Sequence, residues 1–396
     1  MEINGMRSVP CVVVRTTFVL PIAFLLLTLC YARERGPRIE VVYPAPPIPV
    51  TIDKNRGLVY KLHVTNFDTV SLSLKSVEIF ANEENNKPLI TLEDNKLSAA
   101  MIRVGAPMTL STGSSGAAQD TRTIDPGGRN VVFVWIELPM SHSVPANLKH
   151  RMISSATPAG VGRPSDATLE DFQVPVSEDS APILSPPFNG GVWLAGDGPL
   201  KQVNHRPSIF AIDGHIYLPE RFAIDWVKVG PNGDSRHNGT TKNENWWGWG
   251  EPVLAVANGE VTEVVDEFPD NTPRVLPAVT IEDIARNHII LQIAQDRFVS
   301  YAHLQKGSTK VRVGDHVHRG DVLALLGNSG NTTGAHPHLQ VTDRNSVLQS
   351  EGVPFVFTDF THLGPGTDYP EKQVLAPWLK SIPPGNGVAK FEAVTK

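Results

Sequence analysis

Cysteine is almost absent from this chain of 396 residues. The two it has, Cys11 and Cys30, both fall within the first 30 positions. No disulfide framework can therefore staple the rest of the chain. An excess of basic residues is also missing: Lys and Arg number 35 against 41 Asp and Glu, a formal net charge of −6. That balance leaves no electrostatic footprint for nucleic acid. Methionine is scarce, with six residues, and no repeat of solenoid period is present. The apolar stretch at residues 18–29 is too short to cross a ~30 Å hydrocarbon core comfortably.

What remains is an ordinary globular composition, 41% hydrophobic and 19% charged. At roughly 150 residues per domain the length suggests two or three domains. Glycine (32) and proline (33) are plentiful. With abundant Val and Thr they favour strands and turns over helices. The N-terminus has the form of an export signal: Arg7 and Arg15 precede the apolar stretch, whose length suits a signal h-region. Cys30 and Ala32 stand at the −3 and −1 positions of a cleavage site after Ala32. Residues 1–32 are thus expected to be a signal peptide, and the mature protein secreted, periplasmic or in the cell envelope, without a membrane span. A lipoprotein acylated at Cys30 is the other form of this reading.

From about residue 38 to 180 the pattern alternates with period two, at 58–64, 72–79 and 130–138. Turn clusters such as Asp125-Pro126-Gly127-Gly128 separate these bursts. This predicts an Ig-like antiparallel β-sandwich. His63, His142 and His150 are scattered through it and form no catalytic group. A stretch with Pro182, Pro186 and Pro187 reads as a linker. A second β-rich region, 190–365, comes next, and 366–396 reads as a C-terminal extension. The chain is expected to be all-β.

Chemistry-bearing residues concentrate in the second region. Asp225 ends an apolar run, and His303 follows a strand-like segment. His336 and His338 are two apart, so on a strand both would project from one face. Such a pair brings two imidazoles into one small volume, and zinc takes three or four N, O or S ligands at ~2.0–2.2 Å. A second His-x-His, His316 and His318, lies in a Gly-Asp turn framework where polar side chains are usually solvated.

The order of these segments resembles a known family. An Asp-bearing strand is followed by G-x-P-V-x-A with G-x-V (residues 250–261), Y-x-H-L (301–304), V-x-x-G-x-x-V-x-x-G (311–320), G-x-S-G-x-T (327–332) and H-x-H (336–338). This is similar to the M23 peptidases, the lysostaphin/LytM-like endopeptidases. The resemblance covers roughly residues 190–345. It implies an antiparallel β-sheet domain with a groove, and a zinc held by an H-x-x-x-D motif and the second His of H-x-H. Asp225 and His338 are then zinc ligands. The resemblance gives His336 and His303 catalytic roles toward the zinc-bound water and the oxyanion.

One position departs from the pattern. The H-x-x-x-D histidine falls on Arg221, whose guanidinium has no lone pair to offer a metal. His205 is the preferred substitute. Residues 209–217 read as a hairpin turning at Asp213-Gly214, which would return His205 to the neighbourhood of Arg221. His215 and His237 are weaker candidates. Pro337, with no N–H, predicts an edge or a bulge at that strand. Trp246-Trp247-Gly248-Trp249 reads as loop packing or as an aromatic wall of the groove.

The resemblance implies an exported zinc metalloendopeptidase whose substrate is peptidoglycan or another peptide. The alternative is a catalytically degenerate M23-like module that binds peptidoglycan or regulates a wall hydrolase, and Arg221 is the feature in its favour. A lipoyl or biotinyl carrier shares the Gly-Asp turn framework but would need a lysine at a hairpin tip, which is missing here.

Overall fold

The computed structural model describes residues 36–81, 87–105, 120–156, 165–199, 205, 208–237, 239, 241–373 and 375–393. The export-signal reading, including Cys30, falls outside these residues. Among those described the chain is almost wholly β, and Asp94–Ala99 is the single α-helix. No helix among them is long and apolar enough to cross a membrane.

The N-terminal part consists of two five-stranded antiparallel sheets. The long strand Asn55–Asn66 is the centre of the first and pairs with Arg129–Pro139 along almost its whole length. Leu72–Phe80 and Asn147–Ala156 form the centre of the second. Alternation explains how the sheets meet. Leu58, Tyr60, Leu62 and Val64, with Val132, Val134 and Ile136, share one core with Leu74, Val77, Ile79 and Met152 of the facing sheet.

The other face of the first sheet is buried as well. Val59 packs into the core of the C-terminal part, and Val131 and Phe133 pack with Leu218. Lys61 and His63 on that face are also buried. Asn55–Asn66 is accordingly buried at every position from Gly57 to Asn66. A strand covered on both faces is the middle layer of a three-layer stack.

The third layer is an 11-stranded sheet. Its middle holds Gly191–Gly196, Ile224–Lys228, His338–Thr342 and Arg297–Ala302, in that order. Their inward residues, among them Trp193, Trp226, Tyr301, Leu339 and Val341, form the larger core. Residues 366–396 contribute two strands to this sheet, Ala376–Ser381 and Gly387–Phe391. Ile183–Leu184, in the proline-rich stretch, joins it by parallel pairing with Val356–Pro365.

Candidate functional site

The sheet register builds the site. Asp225 lies directly opposite His338 on one side, and Ala302 lies opposite it on the other. Directly opposed residues of antiparallel strands project from the same face. The carboxylate therefore meets the imidazole, with Asp225 Oδ1 2.8 Å from His338 Nδ1. His303, just beyond the strand Arg297–Ala302, adopts a positive φ of 64°. A non-glycine residue in that region is strained, and such strain concentrates at functional sites. The ring centroid of His303 lies 5.0 Å from that of His336 and 5.8 Å from that of His338.

His205 arrives from outside the sheet. The chain beyond it forms the expected hairpin, Phe210–Ile212 with His215–Tyr217. Asp213 and Gly214 at its tip both have positive φ, as a two-residue turn requires. A 3-10 turn, Pro219–Phe222, then leads into the Asp225 strand. His205 Nε2 ends 3.4 Å from Asp225 Oδ2, and its ring centroid is 5.0 Å from that of His338. One donor atom from each of His205, Asp225 and His338 lies within 4.8 Å of the others. His336 Nε2 is 3.5 Å from Asp225 Oδ2.

Each imidazole is oriented by an acceptor behind it. His338 Nε2 meets Gln340 Oε1 at 3.0 Å, and the Gln340 amide is set by donating to the Val347 carbonyl. His205 Nδ1 is 3.4 Å from the Ala223 carbonyl. His303 Nδ1 donates to the Ser329 carbonyl at 2.7 Å, and His336 Nδ1 to the Gly334 carbonyl at 2.9 Å. A carbonyl only accepts, so in either ring Nδ1 carries a proton, and Nε2 is the atom that bears a lone pair whenever the ring is neutral. No acceptor was predicted from sequence. Gln340 alone left a signal there, two residues beyond His338 on the same strand face.

The electrostatics follow from one carboxylate among four imidazoles. Burial works to raise the Asp225 pKa, but His205, His336 and the hydrogen bonds from His205 and His338 hold it well below the usual carboxylate range. Burial likewise works to lower His205, and the Asp225 charge overrides it, pushing that pKa up to about 10. His338 is raised for the same reason against the same opposition. His303 goes the other way: burial, then His336 and His338, hold it well below its ordinary value and keep it neutral.

The structure differs from expectation at the His336–His338 pair and at Pro337. The strand begins at His338 and its approach carries His336, so the two do not share a strand. Pro337 needs neither an edge nor a bulge. It stands just before the first residue of a strand paired on both sides, and its carbonyl accepts from Trp226 N–H. Arg221 does not reach Asp225. Its guanidinium lies 5.6 Å from the ring centre of Phe133, 5.7 Å from Trp135 and 5.1 Å from Phe222, against the N-terminal sandwich. His316 and His318 are exposed in their turn. His215 is exposed in the hairpin, and His237 packs on Trp247. Trp246 lies against Gly334, where a Cβ would sit 2.2 Å from its ring. It thus backs the residue whose carbonyl orients His336.

Two imidazoles and a carboxylate converge on one point, with two further imidazoles beside them, and such a donor set suits a metal ion. Residues 237–350 match the sequence model of peptidase family M23. The matched segment holds His303, His336 and His338. His205 and Asp225 precede it. Endolysin 2638A of Staphylococcus phage 2638A is 38% identical over 60 residues, 14% of this chain and 12% of the endolysin, so the chain spans only a small part of that relative's length. Among solved structures, the chain is similar to the catalytic domain of the prophage-encoded M23 protein EnpA from Enterococcus faecalis. That match has 18% identity over 44% of this chain and 93% of that one, with a TM-score of 0.25. It is similar also to the catalytic domain of lysostaphin from Staphylococcus simulans, at 21% identity over 41% and 88% of the two chains and a TM-score of 0.21.

Proposed function

We propose that the chain is a zinc metalloendopeptidase in which His205, Asp225 and His338 hold the metal and His303 and His336 act on the substrate. The observation that carries this reading is the fit of the donor set to zinc. Ligands at ~2.1 Å from a tetrahedral ion stand about 3.4 Å apart. The Asp225 oxygens lie 3.4 Å from His205 Nε2 and 2.8 Å from His338 Nδ1. In both histidines the other ring nitrogen already faces an oxygen acceptor, a contact that fixes a metal-binding tautomer. His205 supplies the imidazole that Arg221 cannot.

Bound zinc would supply a polarised water of lowered pKa and polarise a scissile carbonyl. The protein's own residues supply proton handling. His336, with a lone pair on Nε2, is placed to accept a proton. His303, kept neutral by its surroundings, is a second acceptor on the other side of His336. Once protonated, either ring can donate to a developing oxyanion or leaving amine. The Ser329 and Gly334 carbonyls hold both rings in this tautomer throughout.

The substrate we propose is a peptide bond of peptidoglycan, in a stem or cross-bridge segment of small residues. The family match of the domain and the short likeness to a phage endolysin support this choice. Export would bring the enzyme to such a substrate. Metal analysis of the purified protein, combined with hydrolysis of muropeptides and of glycine- or alanine-rich peptides, tests the reading. Stoichiometric zinc and cleavage abolished by His338→Ala are expected. A protein that takes up no zinc at neutral pH, or that cleaves equally well as His338→Ala, would overturn it.

A further inference from the structure

Arg221 stands where the resemblance calls for a metal-ligating histidine, yet it is buried and turned away from the metal site. Its guanidinium faces Phe133 and Trp135, two residues on the outer face of the sandwich's first sheet. A planar cation over aromatic rings is a contact that arginine makes well and lysine does not reproduce. A second contact lies alongside. Lys61, on the neighbouring strand of that same sheet, forms a buried ion pair with Glu351. Glu351 is tied to the end of the His338 strand, since Asp343 N–H donates to its carbonyl and Gly352 bridges to Thr342.

These two contacts converge on one small piece of backbone. Gly352 N–H donates to the Leu218 carbonyl. A Cβ on Gly352 would meet Pro219 O at 2.6 Å and Arg221 N at 3.2 Å, so the segment lies tight against the 3-10 turn. That turn leads directly to Ala223, whose carbonyl orients His205, and to Asp225. The sandwich therefore grips, from behind, the turn and the segment that hold the strands of Asp225 and His338.

We infer that the N-terminal sandwich is a working part of the metal site, and that Arg221 has become a positioning residue that sets His205 and Asp225 through the turn Pro219–Phe222. This inference rests on the metal reading above.

The test uses the full-length protein. Zinc affinity is measured by calorimetry, the Co(II)-substituted site by its visible absorption, and folding by near-UV circular dichroism. Arg221→Ala is expected to weaken zinc binding on the order of 10–100-fold, as loss of an outer-shell partner does. It should also change the cobalt spectrum while the protein stays folded. Arg221→Lys should recover only part of the affinity. The pair Phe133→Leu with Trp135→Leu, which alters none of the proposed ligands, should reproduce the spectral change, and it carries the test if Arg221→Ala does not fold. Wild-type affinity and an unchanged cobalt spectrum in these variants would overturn the inference. A wild-type protein without zinc, beside a matching His338→Ala control, would instead overturn the metal reading, and this inference with it.

Discussion

Zinc and protons should compete for His205, and the competition can be counted. Without metal, Asp225 holds a proton on His205, whose pKa is pushed up to about 10 against the opposing effect of burial. The rise from 6.5 corresponds to ~5 kcal/mol of attraction at ~1.36 kcal/mol per pH unit. The sign follows from linkage. A raised histidine pKa stabilises the metal-free fold fully below about pH 6.5, and that stabilisation is lost as pH climbs toward 10. Zinc must displace this proton, because a metal takes only the neutral imidazole. His338 is raised in the same direction, so one to two protons should leave per zinc bound at pH 7.5.

Calorimetry in two buffers of different ionisation heat measures that number. Two histidines of ordinary pKa would release only ~0.1 proton each at pH 7.5. Zinc affinity should also rise about tenfold per pH unit above neutrality for each proton displaced. His205→Ala should remove one proton from the count and one unit from that slope. Release near zero in the wild type would refute the reasoning, because the ion pair it depends on would not exist in the metal-free protein.

Other outcomes are expected from the same contacts. His63 and His150 are buried in the sandwich and their pKa values are lowered to about 4, chiefly by burial. A depressed histidine pKa gives stability that is present above about pH 6.5 and lost as pH falls toward 4. Urea unfolding at pH 5 should therefore show a loss of ~2 kcal/mol per histidine relative to pH 8, and His63→Leu should remove one such share. Glu351→Gln leaves Lys61 buried without its counter-charge and should cost ~3–5 kcal/mol, whereas Lys61→Met with Glu351→Met should recover most of it. His336→Ala should keep its zinc and lose roughly 10²–10⁴ in kcat, readable by peptide cleavage beside metal analysis. Gln340→Ala should weaken zinc binding about 10–100-fold, measured by competition with a chelator.

Much of the fold was written in short-range alternation. The period-two runs at 58–64, 72–79 and 130–138 lie within the strands Asn55–Asn66, Leu72–Phe80 and Arg129–Pro139. Alternation says which residues share a face but not what covers the second face. On Asn55–Asn66 that face carries Val59, Lys61 and His63, a mixture that reads as solvated. In the folded chain it is covered by the C-terminal layer, with Lys61 neutralised by a residue 290 positions away. Residues 366–396 were hard to read for the related reason that strand pairing is non-local. Nothing in Ala376–Ser381 or Gly387–Phe391 announces that their partners lie in Val356–Pro365 and Gly191–Gly196.

The site divides along the same line. Asp225, His303, His336 and His338 were legible because each stands in one of the ordered segments that resemble the M23 pattern. His205 was reachable by one further step, since the Asp213-Gly214 turn dictates that the chain doubles back and the geometry of a two-residue hairpin is local. The fate of Arg221 was not reachable by any such step. Its replacement of a ligand could be seen in the sequence, and that alone suggested a degenerate site. Which of several carboxylates and rings a buried arginine meets depends on how two distant sheets stack. Here it meets Phe133 and Trp135, some 86 to 88 positions earlier in the chain. That choice leaves the Asp225 carboxylate to His205, His336 and His338. A cation that would have repelled a metal at the site has been moved to the interface behind it, where its charge faces aromatic rings at more than 5 Å. The departure from the family pattern and the integrity of the donor set are therefore compatible, because a different layer of the protein absorbs the arginine.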